Sequence, residues 1–311
     1  MNAPRSIDDY LKQLRAALGG DDPALTQDAL YDAEEYLRAE VAAHPDKSES
    51  DVLELIASTY GAPEEVAAAY RDTEVKVKAA LKSPGPRISA GASPLRRFFG
   101  VYLDPRTYSS LFYMLLALAT GIVYFTFVVV GLSLSAGFAI LIIGIPFFLA
   151  FIGIARVIAL GEGRLVEAVT GERMPRRPVH PGAAGSWWSR IGEMLKDVRT
   201  WTTLAYLLVM LPLGILYFTI AVTGLAVSAA FIGTPLALVA QYFGWVPGDF
   251  RVMDIHYGSE GSVYSLDHPW LSGTLLFVAG VILLTILMHL ARALVRGHAR
   301  LAKSLLVVPG A

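Results

Sequence analysis

Four side chains in one stretch of this 311-residue chain are of types that bind a divalent cation or change charge near neutral pH. They are Asp254 and His256, spaced Asp-x-His, and the adjacent Asp267 and His268. Carboxylate and imidazole together suit a divalent metal or a proton sensor working at about pH 6. The spacing lacks the tight multi-ligand pattern of a built metal centre, so a solvated loop accounts for the same residues more simply. Trp245, Tyr257, Tyr264 and Trp270 surround this stretch and read as an aromatic belt at a membrane interface rather than a ligand cage. His289 lies in an apolar run where a proton relay would need acidic partners, and none falls inside the expected spans, which weighs against an ion-coupled transporter. Gly258-Ser259-Glu260-Gly261-Ser262 reads as a flexible loop. No Walker A, GxSxG, HExxH or dinucleotide fingerprint stands in a context that could use it. With no cysteine in the chain, disulfides, thiolate nucleophiles, thiolate zinc sites and iron–sulfur clusters are excluded. The expectation is a protein that is not an enzyme and carries no cofactor.

The elements that position these residues are mostly apolar. Hydrophobic residues make up 54% of the chain and charged ones 17%, with a mean hydropathy of +0.50, which points to an integral membrane protein. The net charge of −1 hides a division: residues 1–74 hold 17 acidic and six basic side chains, leaving the remainder at +10. The acidic head reads as four short helices. Ile7, Tyr10, Leu11, Leu14 and Leu18 form one helical stripe behind Ser6. Leu30, Ala33, Leu37 and Val41 follow Asp22-Pro23. Val52, Leu53, Ile56 and Tyr60 follow Ser50, and Val66, Ala67 and Tyr70 follow Pro63. Asp32, Glu35, Arg38, Glu64 and Glu65 lie off these stripes and are candidates to face a partner. A net charge of −11 argues against nucleic acid. The N-terminus has no apolar signal region, so the head is expected in the cytoplasm, and residues 75–100 read as a basic Pro/Gly-rich linker.

Residues 111–155 and 204–248 contain no charged side chain, and a third apolar run covers 271–287. Basic residues crowd 156–203 and the tail, whereas the loop between Tyr242 and Trp270 carries Arg251 alone, so the positive-inside rule favours an even number of crossings. This gives an all-α membrane domain over 101–308 with four spans, about 110–132, 134–158, 203–225 and 271–292. Segment 226–243, broken at Gly233-Thr234-Pro235, becomes a re-entrant or interfacial piece, and 244–270 an outer loop. Five spans is the alternative. Arg96, Arg97, Arg156, Arg164, Arg176, Arg177, Arg292 and Arg300 are then expected at the inner lipid surface. Both termini are cytoplasmic in this reading.

The membrane region repeats itself. Asp104-Pro105-Arg106-Thr107 recurs as Asp197-Val198-Arg199-Thr200, and at the same offset of 93 Tyr113 matches Tyr206, Gly121 matches Gly214 and Tyr124 matches Tyr217. Thr126 likewise matches Thr219, and Gly131 matches Gly224. Beyond the first hairpin Ala155-Arg156, Gly161 and Arg164-Leu165 recur as Ala291-Arg292, Gly297 and Arg300-Leu301 at an offset of 136, which locates a 43-residue insertion in the second copy. Each repeat is expected to be a hairpin of two spans ending in a basic amphipathic helix along the inner face. The glycines would pack the two halves, and the matched tyrosines and threonines would either join that packing or line a cleft for a lipid or small molecule.

Two resemblances follow from particular residues. Tyr10-Leu11-x-x-Leu14, Tyr31-x-x-Glu34-Glu35-Tyr36-Leu37 and the closing Tyr60-Gly61-Ala62-Pro63-Glu64-Glu65-Val66-Ala67 resemble HAAS-type helical signalling domains. Gly144-Ile145-Pro146, Gly163-Arg164-Leu165, Asp197-x-Arg199-Thr200-Trp201, Leu211-Pro212-Leu213-Gly214 and Arg300-Leu301-Ala302-Lys303-Ser304-Leu305-Leu306 resemble the putative sensor domain found in front of some bacterial histidine kinases. The resemblance implies signalling rather than chemistry. A non-enzymatic inner-membrane protein would sense envelope or lipid state, or an outer ligand. It would pass that state through residues 1–74 to a PadR-like or two-component regulator. The chain departs from the kinase pattern, since no phosphoacceptor box or ATP-binding domain follows residue 308. The bilayer is a further partner and self-association stays open. A lipid or small-molecule transporter, or a membrane scaffold, is the competing class.

Overall fold

Ser6, Asp22 and Ser48 start helices by one device: a side-chain oxygen accepts a backbone N–H of the first turn, from Asp9 at 3.1 Å, Ala24 at 3.0 Å and Asp51 at 3.3 Å. The helices they open are α1 (Ile7–Ala17), α2 (Pro23–Ala43) and α3 (Glu49–Ala57), followed by α4 (Pro63–Ala80). Further on come a short α5 (Pro94–Phe99), a 3-10 turn (Gly100–Leu103), α6 (Pro105–Phe138), α7 (Gly144–Thr170), α8 (Val198–Tyr242) and α9 (Pro269–Leu306). This computed structural model describes residues 4–80, 93–139, 144–177, 192, 195–245, 254–257, 262–265 and 269–307. The fold is all-α apart from an antiparallel hairpin, β1 (Asp254–Tyr257) and β2 (Ser262–Ser265), in register Asp254 to Ser265 and Tyr257 to Ser262. Among the described residues four helices, α6 to α9, are long and apolar enough to cross a membrane, and the chain is a membrane protein.

By internal contacts the chain forms two units. The first takes Met1–Pro84, Thr120–Leu211 and Arg296–Ala311, and the second takes Gly85–Ala119 and Pro212–Val295.

In the first unit the head has its own core. Ile7, Tyr10, Leu14 and Leu18 meet Ala29, Ala33 and Leu37 of α2, Val52, Leu53 and Ile56 of α3, and Val66 and Ala67 of α4. Apart from Ala29 these are positions that the apolar spacing selects, while Leu11, Leu30, Val41, Tyr60 and Tyr70, also selected, pack partly buried at the edge of the core. The corner at Tyr60 explains why the Tyr-Gly-Ala-Pro-Glu-Glu run is so specific. Gly61 takes φ +102°, a conformation that a side chain would strain, and its carbonyl accepts from Tyr10 Oη at 2.9 Å. Glu65 Oε2 then caps Ala62 N–H at 3.1 Å, and Tyr36 stacks on Tyr60 at 4.4 Å. Two boundaries differ from expectation. Ser48 rather than Ser50 opens α3, because its hydroxyl reaches the Asp51 amide. Helix α4 does not stop at Glu74 but continues through Lys76 and Lys78 to Ala80, since no proline or glycine interrupts it and Lys78 Nζ lies 3.6 Å from Glu74 one turn earlier. The expected linker is also helical at α5, where Ser93 and Pro94 supply the cap and first position.

Helices α6, α8 and α9 run beyond the spans expected for them, whereas α7 begins at Gly144, ten residues after the expected start at 134, because α6 continues to Phe138. In the second unit Asp104 Oδ1 accepts from Arg106 N–H at 3.0 Å and opens α6. In the first unit Asp197 Oδ1 accepts from Arg199 N–H at 3.0 Å and opens α8. Tyr108 Oη donates to the Tyr102 carbonyl in one unit as Trp201 Nε1 donates to that of Leu195 in the other. Arg292 pairs with Asp104 at 3.0 Å in the second unit, and Arg156 with Asp197 at 3.1 Å in the first. Close backbone approach follows the same rule. A Cβ on Gly121 would lie 2.6 Å from the Met210 carbonyl oxygen within the first unit, and one on Gly214 would lie 2.3 Å from that of Ala117 within the second. The residues in each of these contact pairs are related by the offsets of 93 and 136.

Segment 226–243 is not re-entrant: α8 runs unbroken from Val198 to Tyr242 with Pro212 and Pro235 inside it. Its 45 residues are about 68 Å long against a hydrocarbon core of about 30 Å. The break at Gly233-Thr234-Pro235 does not form because α9 packs there: a Cβ on Gly273 would meet Leu238 and Pro235, and Thr234 Oγ1 donates to the Ala230 carbonyl. Positions matched by the two offsets fall at helix ends or where helices touch. Phe138 at the end of α6 corresponds to Phe231, and Gly144 at the start of α7 to Gly280, whose Cβ would press on Phe231 and Ile232. From that level α8 continues for 11 residues to Tyr242 and α9 begins 11 residues earlier at Pro269, so the second hairpin is longer by about 16 Å. Tyr242, Phe243, Trp245 and Trp270 meet at its end, and the β-hairpin lies in the connection. The amphipathic inner helices are no separate elements. They are the last turns of α7 and α9, since Gly161 and Gly297 are tolerated in mid-helix.

Gly214→Ala should destabilise the protein by about 1–3 kcal/mol, because the methyl group meets a backbone carbonyl that cannot rotate away. Gly153→Ala, with open space around its Cβ position, should not. Thermal unfolding of the detergent-solubilised chain checks the contrast.

Candidate functional site

Helix α7 ends where Gly171 takes φ +72° and its N–H bonds to the Glu167 carbonyl at 2.7 Å. The chain after it, residues 172–177, is irregular, so its backbone groups need partners from elsewhere. The acidic head supplies them. Asp28 Oδ1 accepts from the backbone N–H groups of Arg176 and Arg177 at 2.8 and 2.9 Å, and Gln27 Nε2 donates to the Arg177 carbonyl at 3.0 Å. One turn of α2 thus reads the backbone of this segment.

Arg173 enters the same seam. Its guanidinium donates to Asp28 Oδ2 at 2.6 Å and to Glu74 Oε2 at 2.7 Å, and all three side chains are at most 8% exposed. Around this triad Arg177 pairs with Asp32 at 2.9 Å and lies over the Tyr31 ring, Arg176 pairs with Glu167, and Lys303 of α9 pairs with Asp22 at 2.7 Å. Tyr70 Oη donates to Asp32 from the other side. Met174 is fully buried, as is Ala24 of α2, and its neighbour Leu25 is nearly so; both α2 residues stand outside the head's own core. The head is therefore seated on the α7 end by a desolvated charge cluster with a small apolar contact.

Burial pushes the Asp28 carboxyl above its ordinary range, and the two backbone N–H groups and Arg173 pull it back. A carboxylate held this way depends on its donors: a buried pair gives little net stability, but stripping one partner leaves uncompensated charge. Arg173 Nε and Glu74 Oε1 have no hydrogen-bond partner among the described residues, which adds to the cost of the buried cluster and directs its role toward specificity.

A second polar cluster lies inside the helices of the same unit. Glu162 of α7 is 1% exposed and accepts from Tyr124 Oη at 2.9 Å, with Tyr206 Oη at 3.5 Å. Tyr206 Oη and His298 Nε2 are 3.0 Å apart. Sequence reasoning missed Glu162 because it lies just past the expected second span. The signal was present, since the offset of 136 pairs Glu162 with His298.

The structure scatters the expected site residues. Of the head candidates, Asp32 is in the seam, Arg38 pairs with Glu34 on its own helix, Glu65 caps Ala62, and Glu35 and Glu64 are exposed. Of the expected lipid-surface arginines, Arg156, Arg176, Arg177 and Arg292 meet carboxylates instead, while Arg96, Arg97, Arg164 and Arg300 are exposed. His289 does not reach for a headgroup or for Arg292: its Nε2 donates to the Phe98 carbonyl at 2.9 Å and fixes α5. Gly121, Gly131, Gly214 and Gly224 all sit at positions where a Cβ would clash. Tyr113, Tyr206 and Tyr217 are buried and Tyr124 holds Glu162, but Thr126 and Thr219 are exposed and join neither packing nor cleft. Asp254 and His256 lie on β1, Asp267 and His268 lie outside the described residues, and no group of three metal-binding side chains occurs among the described ones. Asp28, Glu74, Gln27 and Arg173, the residues that build the seam, have no local spacing that marks them.

A family model described as "Putative sensor" matches residues 113–306, more than half of the chain. No curated protein and no solved structure matches it.

Replacing Arg173 by Met should leave Asp28 buried without its counter-charge and Glu74 with Lys78 alone, and release the head, at a cost of about 3–5 kcal/mol to the docked state. Because the chain has no cysteine, Glu54→Cys and Arg300→Cys can be spin-labelled cleanly. The distance distribution should be narrow in the parent and broad in the variant.

Proposed function

Because the chain belongs to the Putative sensor family, we propose that it is a non-enzymatic membrane sensor whose acidic head carries its state to a cytoplasmic regulator. The observation that carries this reading is the Arg173 seam, a polar and specific attachment of a separately cored domain to the end of a membrane helix. Attachments made of desolvated charge are two-state by nature, because a small displacement exposes both partners to water at once. The resemblance of the head to HAAS-type domains supports a signalling output. Glu35 and Glu64, exposed and outside the seam, belong to the face that a regulator of PadR-like or two-component type would meet.

The basic residues that follow the first and last hairpins support an inner-membrane orientation with the head and both termini in the cytoplasm. The matched contacts of Gly121 and Gly214, and of Arg156 and Arg292, support a duplicated membrane domain. In that arrangement the lengthened second hairpin, with its aromatic end, is the part that reaches the outer side.

The test is transcriptional. In the host cell, deletion of the chain and the released-head variant Arg173→Met should each shift the same set of transcripts relative to the parent. Arg38→Ala, outside the seam, should shift none. Unchanged transcripts in both the deletion and Arg173→Met would sink the relay.

A further inference from the structure

Beside the seam, lined in part by Gln27, lies a cavity of about 60 Å³, the scale of a few water molecules. Its apolar lining comes from Ala159, Leu160, Met174 and Leu306, and its polar lining from Gln27, Arg156, Asp197, Arg199 and Thr203. Two features ask for a ligand. Gln27 is 93% buried, and because its Nε2 donates to the Arg177 carbonyl, the atom left over is Oε1, an acceptor with no partner among the described residues. The Arg199 guanidinium, half-buried, makes no hydrogen bond or ion pair among the described residues. Asp197 is spent on Arg156 and on capping α8, which leaves the lining with one positive charge in excess, and Arg15 of the head adds to the field.

A group that satisfies all of this is a monoanion with hydrogen-bond acceptors for Arg199 and a donor for Gln27. A simple carboxylate lacks the donor, and doubly charged phosphates exceed the charge. The cavity lies just past the uncharged stretch of α7, at Ala159 and Leu160, and most of its wall is apolar. We propose that this cavity binds a singly charged phosphate bearing a hydroxyl donor, the chemistry of a phosphatidylglycerol headgroup, between the head and the ends of α7 and α8. The proposal rests on the docked head of the reading above, since Gln27 belongs to the head. A bound anion bridges Gln27 to Arg199 and so favours docking. Lipid composition then becomes an input to the head.

The full chain is reconstituted in nanodiscs of phosphatidylcholine with or without phosphatidylglycerol, and retained lipid is read by native mass spectrometry. Phosphatidylcholine has no donor, so the parent should retain phosphatidylglycerol selectively. Arg199→Gln should lower that retention about tenfold, the loss expected for one charge-assisted hydrogen bond. Gln27→Glu, nearly isosteric, sets a negative charge against the anion and should abolish retention even if Arg199→Gln fails to fold, whereas Arg96→Gln should change nothing. Equal retention of both lipids, or of phosphatidylglycerol by the parent and both cavity variants, overturns the site. Inorganic phosphate and glycerophosphoglycerol are added to lipid-stripped protein in parallel. Stabilisation by either that Arg199→Gln removes assigns the same site to a soluble source, and stabilisation that survives Arg199→Gln overturns it. The Glu54 to Arg300 label distance separates the two layers. A docked head without selective retention overturns the site alone, and a parent head that is never docked overturns the reading beneath it.

Discussion

A guanidinium taken out of water must be met by charge, and at Arg173 both carboxylates come from a different part of the chain. Much else in the first unit exists to keep that meeting possible. Asp28 and Glu74 lie on α2 and α4, 46 residues apart, and converge only because the four head helices share one core. That core turns on the corner at Gly61, where the backbone must take a left-handed conformation so that Tyr10 can reach its carbonyl and α4 can start in the right direction. On the other side, Arg173 is presented by a segment whose own backbone donors would be unpaired without Asp28. The same carboxylate therefore satisfies a side chain and two amides, which is why it can be buried.

The long helices show a different economy. Apolar surface alone cannot align helices in lipid, because tails and side chains are equally apolar; small residues and polar contacts do it. Gly121 and Gly214 allow backbones to touch, each in its own unit, and Arg156 and Arg292 tie helix ends to Asp197 and Asp104. Three features break this regularity: the head, the longer second hairpin, and His298 at the position that the offset of 136 matches to Glu162.

Helix existence was legible from residue spacing because it is a local property. Apolar stripes marked the head core, Ser6 and Asp22-Pro23 marked helix starts, and uncharged runs of 45 residues marked the membrane helices. Local signals misled where a neighbour could override them: Pro235 reads as a break, yet α9 packs against that turn and the helix continues. Charge division was also legible, since it needs only counting. The sequence by itself determined an acidic helical head, a membrane domain with glycines in step, and the sign of the attraction between head and basic segments. Which charges meet was decided by tertiary structure alone. Arg173 looks no different from Arg164 or Arg300 along the chain, and only the burial that removes it from water makes it the residue on which the head is seated.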